Sequence, residues 1–388
     1  MTRLRAPDEA DFGSRLRSAA VTARVGMWLG ICFGICFVTG LVSHWSQLPQ
    51  PPIPVPTSPS WGYTLTQGLH VVTGTAAIPL LLVKLWSVYP KLFARPPMGS
   101  ARRLAVHGAE RLSIGVLVAA AIFELATGLA NASQWYPWSF SFRSTHYAVA
   151  WVAIGALVVH VAVKLPTIRQ ALDADLEDGG LDRPSVGAST GGLSRRGLLR
   201  ATWAAAGVAV LATAGNTVGW LRDVSVLAVR SGEGPQGVPI NKSAIAARVT
   251  DTALDLTYRL TVAYGGREVS LSRDELAGME QATEELPIAC VEGWSASGSW
   301  RGVRVRDLLA LVEAPDGSDV EVTSLQPSGP YRVTTLPANF ASDPRSLLAL
   351  QLGGEPLAID HGYPCRIIAP NRPGVLQTKW VSRLEVLP

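Results

Sequence analysis

The sequence predicts two folds in one chain: an N-terminal all-α bundle of transmembrane helices and a C-terminal mostly-β, α+β domain. Three observations predict it. Hydrophobic residues make up 48% of the 388 and charged residues only 16%, too apolar a balance for two ordinary soluble domains. Five apolar stretches approach the roughly 20 residues that a helix needs to cross a bilayer. From about Gly234 the texture changes to short alternating segments such as Leu256–Ala263, separated by Gly, Pro and Asp, which is the pattern of half-buried strands. No internal repeat is visible.

The five stretches are Val25–Ser43, Leu65–Val88, Leu112–Ala130, Tyr147–Val163 and Leu198–Val218. Arg3, Arg5, Arg15, Arg17 and Arg24 precede the first, Lys84 to Arg103 fill the second connection, and Lys164 to Arg200 fill the fourth. Basic residues stay on the cytoplasmic side, so these segments face inward. In the connections Gln47–Tyr63 and Asn131–Ser144 the one basic residue is Arg143, while Trp45, Trp61, Tyr63, Trp135, Tyr136 and Trp138 gather there. These connections belong outside, with their aromatic rings at the outer interface. The net charge of +4 is scattered beside apolar runs and forms no continuous basic face, which excludes nucleic acid as a partner and leaves membrane lipid.

The expected organisation is a cytoplasmic N-terminus over 1–24, a four-helix membrane domain over 25–165, a cytoplasmic linker over 166–196, a fifth membrane helix over 197–219, and a soluble domain over 235–388. The linker ends in Ser194-Arg195-Arg196-Gly197-Leu198-Leu199-Arg200. This resembles a twin-arginine export signal placed inside the chain, ahead of a domain that would be exported folded and cofactor-loaded. The predicted location is therefore the bacterial cytoplasmic membrane, multi-pass, with the C-terminal domain on the extracytoplasmic side.

Five of the six histidines lie in or beside the first four helices. Histidine is costly in hydrocarbon and needs a partner there. His146 and His160 are close to four helical turns apart, on one face and roughly 20 Å apart along the axis. That is the spacing for two haems stacked across a bilayer. His146 precedes Lys164, and His70 precedes Lys84, by lengths of helix that differ by only about 6 Å, so these two histidines pair at an outer haem. His107 and His160, each near the inner basic flank, pair at an inner one, and His44 is a second outer candidate. The segment 25–165 resembles bacterial membrane cytochrome b subunits that connect an oxidoreductase to the quinone pool. The resemblance implies two b haems, with quinone or quinol as partner. Cys32 and Cys36 read as packing residues. Glu124 is open to a structural pairing, a haem-edge contact or a role in quinone protonation.

The sharpest signal is Leu286-Pro-Ile-Ala-Cys290-Val-Glu292-Gly293-Trp294-Ser295, followed by Trp300-Arg-Gly302 and by Asp307-Leu308-Leu309. It places a lone cysteine at the end of a short apolar strand, before a glycine-containing loop. A soft thiolate there suits a soft metal centre. A second stretch is His361-Gly362-Tyr363-Pro364-Cys365-Arg366, then Lys379-Trp380-Val381. Together, over 235–388, these resemble the molybdopterin domain of the sulfite oxidase family. The resemblance implies that Cys290 is the protein ligand to molybdenum, and that His361, Arg366 and Lys379 hold the anionic molybdopterin, which a guanidinium and an ammonium suit. Cys365 reads as packing.

Directly after the ligand cysteine, sulfite-oxidising members carry an arginine-containing stretch, whereas this chain has Val291-Glu292-Gly293-Trp294. That form resembles the bacterial branch that reduces methionine sulfoxide with a haem b membrane partner. It implies Glu292 as a second catalytic residue, able to supply a proton, and a small or protein-bound sulfoxide-like substrate. The expected function is a molybdenum oxidoreductase that moves electrons between quinone and an extracytoplasmic substrate through b haems. The alternatives are an oxidase passing electrons from sulfite or another donor to quinone, and a non-catalytic membrane-tethered binding module.

Overall fold

The structure is a computed structural model and describes residues 8–12, 14–181, 192–228 and 234–388. Arg3, Arg5 and the part of the predicted linker between 182 and 191 lie outside the described residues. Each apolar stretch forms a helix: α1 Ala19–Ser46, α2 Gly62–Val88, α3 Ala101–Ala132, α4 Phe142–Asp173 and α5 Arg195–Thr213. All five are long and apolar enough to cross a membrane. Large side chains such as Val38, Leu82, Val158 and Val163 stand exposed along them, as helices facing lipid require.

All five helices begin ahead of their apolar runs, and α1, α3 and α4 overrun them the most. α1 begins six residues early, α3 starts at Ala101 instead of Leu112, and α4 continues to Asp173, past Pro166. Hydropathy marks the part of a helix that suits a bilayer, whereas the hydrogen-bonded ladder continues into polar flanks. α5 ends before the predicted Val218 because Gly215, Asn216 and Gly219 lead the chain into tight turns.

The chain divides into two compact units. The first comprises 1–40, 69–215 and 223–228; the second comprises 41–68, 216–222 and 229–388. In the first unit, Arg195 of the twin-arginine pair is buried, with its guanidinium donating to the carbonyls of Arg15, Leu176 and Asp178 at 2.8, 3.0 and 2.6 Å.

The second unit contains two five-stranded sheets. One has the order β2-β1-β10-β5-β6, from β1 Arg259–Tyr264, β2 Arg267–Ser272, β5 Val320–Ser324, β6 Val333–Leu336 and β10 Val381–Val386. The other runs β3-β4-β7-β8, with β9 also paired to β7; its strands are β3 Ala282–Ala289, β4 Ser295–Arg304, β7 Leu347–Leu352, β8 Glu355–Pro356 and β9 Arg366–Ile368. The β1–β10 pair is parallel. Leu260, Val262, Leu308, Leu336 and Leu384 form the main core. Alternation along β1 sends Leu260 and Val262 into it, the period-two burial of a sheet with one covered face. Gly302 sits where β4 shifts register against β7, and a Cβ there would lie 2.1 Å from the Leu348 carbonyl oxygen. The close approach of these two strands requires glycine.

The proline-rich connection between α1 and α2 belongs to this second unit. Thr335 N–H donates to the Pro49 carbonyl at 2.9 Å, and Asn339 Nδ2 to that of Val55 at 2.8 Å. Asn371 does most: its Nδ2 donates to Pro56 O at 2.6 Å, its backbone N–H to Ser60 O at 3.1 Å, and its Oδ1 accepts from Tyr63 N–H. Prolines cannot donate, so this strap is held largely through its carbonyls. Asn371→Ala is expected to cost about 1–3 kcal/mol through these orphaned buried groups and to raise amide exchange and proteolytic cleavage across 47–63. Unchanged protection of that segment would contradict the role given to Asn371.

Candidate functional site

β3 and β4 form a hairpin with Ala289 opposite Ser295, and the turn between them carries the predicted metal ligand. Cys290 N–H donates to Trp294 O at 2.9 Å, and Gly293 N–H to Cys290 O at 3.0 Å. Gly293 has φ 81°, a left-handed conformation that favours glycine. Thr217, in the segment after α5, donates its hydroxyl to the Gly293 carbonyl and ties the turn from outside the hairpin. The Cys290 side chain is buried, with Glu292 Oε2 3.9 Å from its sulfur. Trp294 Nε1 donates to the same carboxyl oxygen at 3.1 Å. Burial, reinforced by the Glu292 charge, pushes the Cys290 thiol up to about 12. Burial also raises the Glu292 carboxyl above its usual range. A thiolate here needs a cation to stabilise it, which is what a metal ligand demands.

His361, Arg366 and Lys379 meet on the other wall. An isolated bridge pairs Arg366 with Lys379, and both pack against Gly362 at φ 109°, where a Cβ would lie 3.0–3.1 Å from side-chain atoms of each. Arg366 donates from Nη1 to His361 O and from Nη2 to Gln377 O, at 3.0 and 3.1 Å, while its Nε is buried without a hydrogen-bond partner. The Lys379 ammonium donates to the carbonyls of Lys242 and Asp360 at 2.5 and 2.9 Å. Trp300 and Trp380 supply ring faces, 5.0 and 4.6 Å from the two charged groups. Among the described residues no carboxylate forms an ion pair with either cation. Burial pushes Arg366 down to about 9 and Lys379 to about 7. His361 Nε2 lies 2.6 Å from Pro235 O, so that nitrogen carries the proton; burial and then Arg366 lower the ring to about 4.

A small, partly open pocket lies among these residues, walled by Asn241, Ile288, Trp294, His361, Arg366 and Lys379 together with neighbouring backbone. Two desolvated cations and an unsatisfied guanidinium nitrogen fit an anionic, phosphate-bearing cofactor. The structure thus brings His361, Arg366 and Lys379 to one cavity, and Cys290 and Glu292 sit in the turn whose flanking residues, Ile288 and Trp294, complete its wall. Sequence reading gave no role to Asn241, Thr217, Gln377 or the ring faces of Trp300 and Trp380. Trp300 and Trp380 stood inside the quoted motifs, but Asn241, Thr217 and Gln377 carry no local signal.

In the helical unit, His70 of α2 and His146 of α4 come together with ring centroids 6.3 Å apart and planes at 66°. Two imidazoles that each bind one metal ion at about 2 Å have ring centres roughly 6 Å apart, so this spacing fits a shared iron. Gly40 and Gly128 lie against the rings: a Cβ on either would meet Cε1 of His70 at 3.3 Å or of His146 at 3.6 Å. Glu124 Oε2 is 3.1 Å from His146 Nε2. His107 and His160 show no ring contact with each other among the described residues, and His107 Nε2 is buried without a partner. Glu110 and Lys164 form an ion pair between α3 and α4; lying three and four residues from His107 and His160, they share those histidines' helix faces. His44 lies in the last turn of α1, half-buried.

With this geometry in place, comparison with known proteins identifies the domain. Residues 246–388 match the family model described as oxidoreductase molybdopterin binding domain. Human mitochondrial sulfite oxidase is 32% identical over 160 residues, covering 34% of this chain and 29% of that protein. A protein of Azospira oryzae, named as a candidate protein-methionine-sulfoxide reductase subunit YedZ1, is 31% identical over 113 residues, covering 29% of this chain and 42% of that one. The sulfane dehydrogenase SoxCD of Paracoccus pantotrophus aligns with TM-score 0.31 and 23% identity over 34% of this chain and 40% of that chain. The chain therefore spans less than half the length of these relatives. Its C-terminal region carries a molybdopterin-binding oxidoreductase domain of sulfite oxidase type, joined to a helical region with several membrane-length apolar helices.

Lys379 supplies a pH test. Its folded value near 7 lies below the ordinary 10.5, so between them the unfolded chain binds a proton that the folded one does not. Stability of cofactor-free protein is expected to rise as pH climbs from about 7 to about 9, below the range where the raised thiols of Cys290 and Cys365 act in the opposite sense. Thermal unfolding across that window should show the rise, and Lys379→Met should flatten it; a slope unaffected by the substitution would contradict the assignment.

Proposed function

We propose that the protein is a membrane-bound molybdenum oxidoreductase that takes electrons from quinol, passes them through two b haems and removes oxygen from a sulfoxide-like substrate outside the cytoplasmic membrane. Cys290 would hold the molybdenum, with His361, Arg366 and Lys379 binding the molybdopterin. His70 and His146 would hold one haem and His107 and His160 the other, with His44 as the alternative outer ligand. When bound, molybdopterin supplies the oxygen-atom exchange and haem the one-electron transfers; the protein supplies position, burial and protons.

The observation that carries the direction is Glu292. Its carboxyl lies beside the Cys290 sulfur, is fixed by Trp294, and is raised by burial so that it retains a proton more readily than an exposed glutamate. Removing oxygen from a sulfoxide consumes two electrons and two protons and releases water, so a buried proton donor belongs at this point. Glu292 also stands where the resemblance places an arginine-containing stretch in sulfite-oxidising members, so a cation for binding sulfite is missing there, which sets the oxidase reading second. The relatives named sulfite oxidase use a domain of the same type, and the opposite direction remains the rival that experiment must separate. A purely tethering role leaves the two desolvated cations and the cysteine turn without a purpose.

Attachment of the first connection, 41–68, to the cofactor-domain unit supports placing both on one side of the membrane, the outer side by the distribution of basic residues. Export through the twin-arginine route would act before Arg195 is buried in the helical unit.

The test is turnover of methionine sulfoxide by detergent-purified protein with a reduced viologen as donor, alongside molybdenum analysis. Cys290→Ala is expected to abolish turnover and molybdenum retention. Glu292→Gln should keep the metal and lose about 100-fold in rate. A chain that contains no molybdenum after expression in a molybdopterin-making host would end the enzyme reading.

A further inference from the structure

Each of the facing histidines is held by a threonine on the preceding helix. Thr39 Oγ1 lies 3.0 Å from His70 Nδ1, and Thr127 Oγ1 lies 3.1 Å from His146 Nδ1. Each hydroxyl is also 2.7 Å from the carbonyl oxygen four residues earlier in its own helix, that of Ile35 or Phe123. A hydroxyl has one proton, and a carbonyl can only accept. Two oxygens at that distance without a proton between them would repel, so the hydroxyl donates to the carbonyl. Its lone pair is then what faces the ring, and Nδ1 must be the donor. Nδ1 of both imidazoles is thereby fixed as a protonated nitrogen, which leaves Nε2 of the neutral His70 ring with a lone pair, and leaves one on His146 Nε2 with the facing Glu124 carboxyl as the donor between them.

The same device occurs twice in the sequence. Thr39-Gly40-Leu41 lies toward the C-terminal end of α1 and Thr127-Gly128-Leu129 toward that of α3, and each glycine lies against the Cε1 edge of the histidine that its neighbouring threonine holds. The hairpins α1–α2 and α3–α4 therefore each contribute one threonine-held histidine to one meeting point. The repeat is too short and its histidine spacings too unequal to be noticed by inspection of the chain alone.

We infer that Thr39 and Thr127 are paired positioning residues for a bis-histidine haem, locking the tautomer and orientation of His70 and His146 and increasing the electron donation of each Nε2 to iron. The inference rests on the reading of these two histidines as haem ligands. Hydrogen-bond acceptors behind metal-bound histidines act in this way, and their loss typically weakens metal binding by about 10–100-fold. Accepting from Nδ1–H stabilises ferric over ferrous haem, so removing the acceptor should move the midpoint potential upward. Glu124 now occupies the Nε2 side of His146 and would be displaced from that nitrogen when iron binds it.

The experiment uses the full chain in detergent, carrying Thr39→Val, Thr127→Val, or serine at either position. Haem content, haem loss to an apo-globin scavenger and the potential by spectroelectrochemistry are measured for each. Wild type should show low-spin haem b with the strongly anisotropic electron paramagnetic resonance signal of steeply inclined imidazole planes. The valine variants should hold haem about 10–100-fold more weakly and titrate at a higher potential, and the serine variants should restore both properties. Alanine variants are read identically should the valine chains fail to accumulate. Hydroxyl-free variants that match wild type in retention and potential would overturn the inference, as would serine variants that behave like valine. Wild type without haem b would instead remove the ligand reading itself, a distinct result visible before any threonine is changed.

Discussion

A buried guanidinium and a half-buried ammonium lie side by side, and holding them among carbonyl oxygens and indole faces constrains the C-terminal domain. Arg366 and Lys379 repel one another and have lost their water, and among the described residues no carboxylate forms an ion pair with either. Buried charge of this kind is costly until an opposite charge arrives. The fold tolerates it because β9 and Lys379 are bridged, Gly362 leaves room for both stems, and Trp300 and Trp380 offer polarisable faces. The neighbouring hairpin turn then presents Cys290, the soft ligand that an anionic metal cofactor would use. Stability has been set aside at one cavity in a form that ligand binding can recover.

The helical unit obeys a related rule in an apolar setting. His70 and His146 are held by threonines whose own protons are already committed, and their remaining nitrogens are what a metal would take. The two units are also continuous in sequence through α1 and α2, since both helices have residues in each. The strap between them is bonded to the cofactor domain by Asn371 and its neighbours.

The parts that could be read from sequence were those with a local or periodic signature. Apolar length gave five helices, alternation gave the strand-rich domain, and the height of His70 and His146 relative to Lys84 and Lys164 paired two residues that the fold indeed brings to 6.3 Å. The cysteine at a strand end before a glycine turn was legible because strand, turn and glycine are adjacent. The strap was not: its anchor Asn371 lies some 300 residues away, and a carbonyl-mediated attachment leaves no side-chain pattern. The threonine hydroxyls were invisible for a different reason. A threonine in an apolar helix looks like any small packing residue until the histidine it touches is known. Helix ends were missed where hydropathy stops and helical hydrogen bonding does not, as at Ala101 and Asp173.

In the function we propose, electrons pass from quinol to the molybdenum site through haem within one chain. The most direct measurement is the optical spectrum of anaerobic purified protein, reduced with a quinol analogue and then mixed with methionine sulfoxide. The expected result is a reduced haem b spectrum that returns to the oxidised form on adding the sulfoxide, and that stays reduced in Cys290→Ala. Haem that ignores the sulfoxide but is reduced when oxidised protein meets sulfite would contradict the direction, and molybdenum without haem would contradict the electron path.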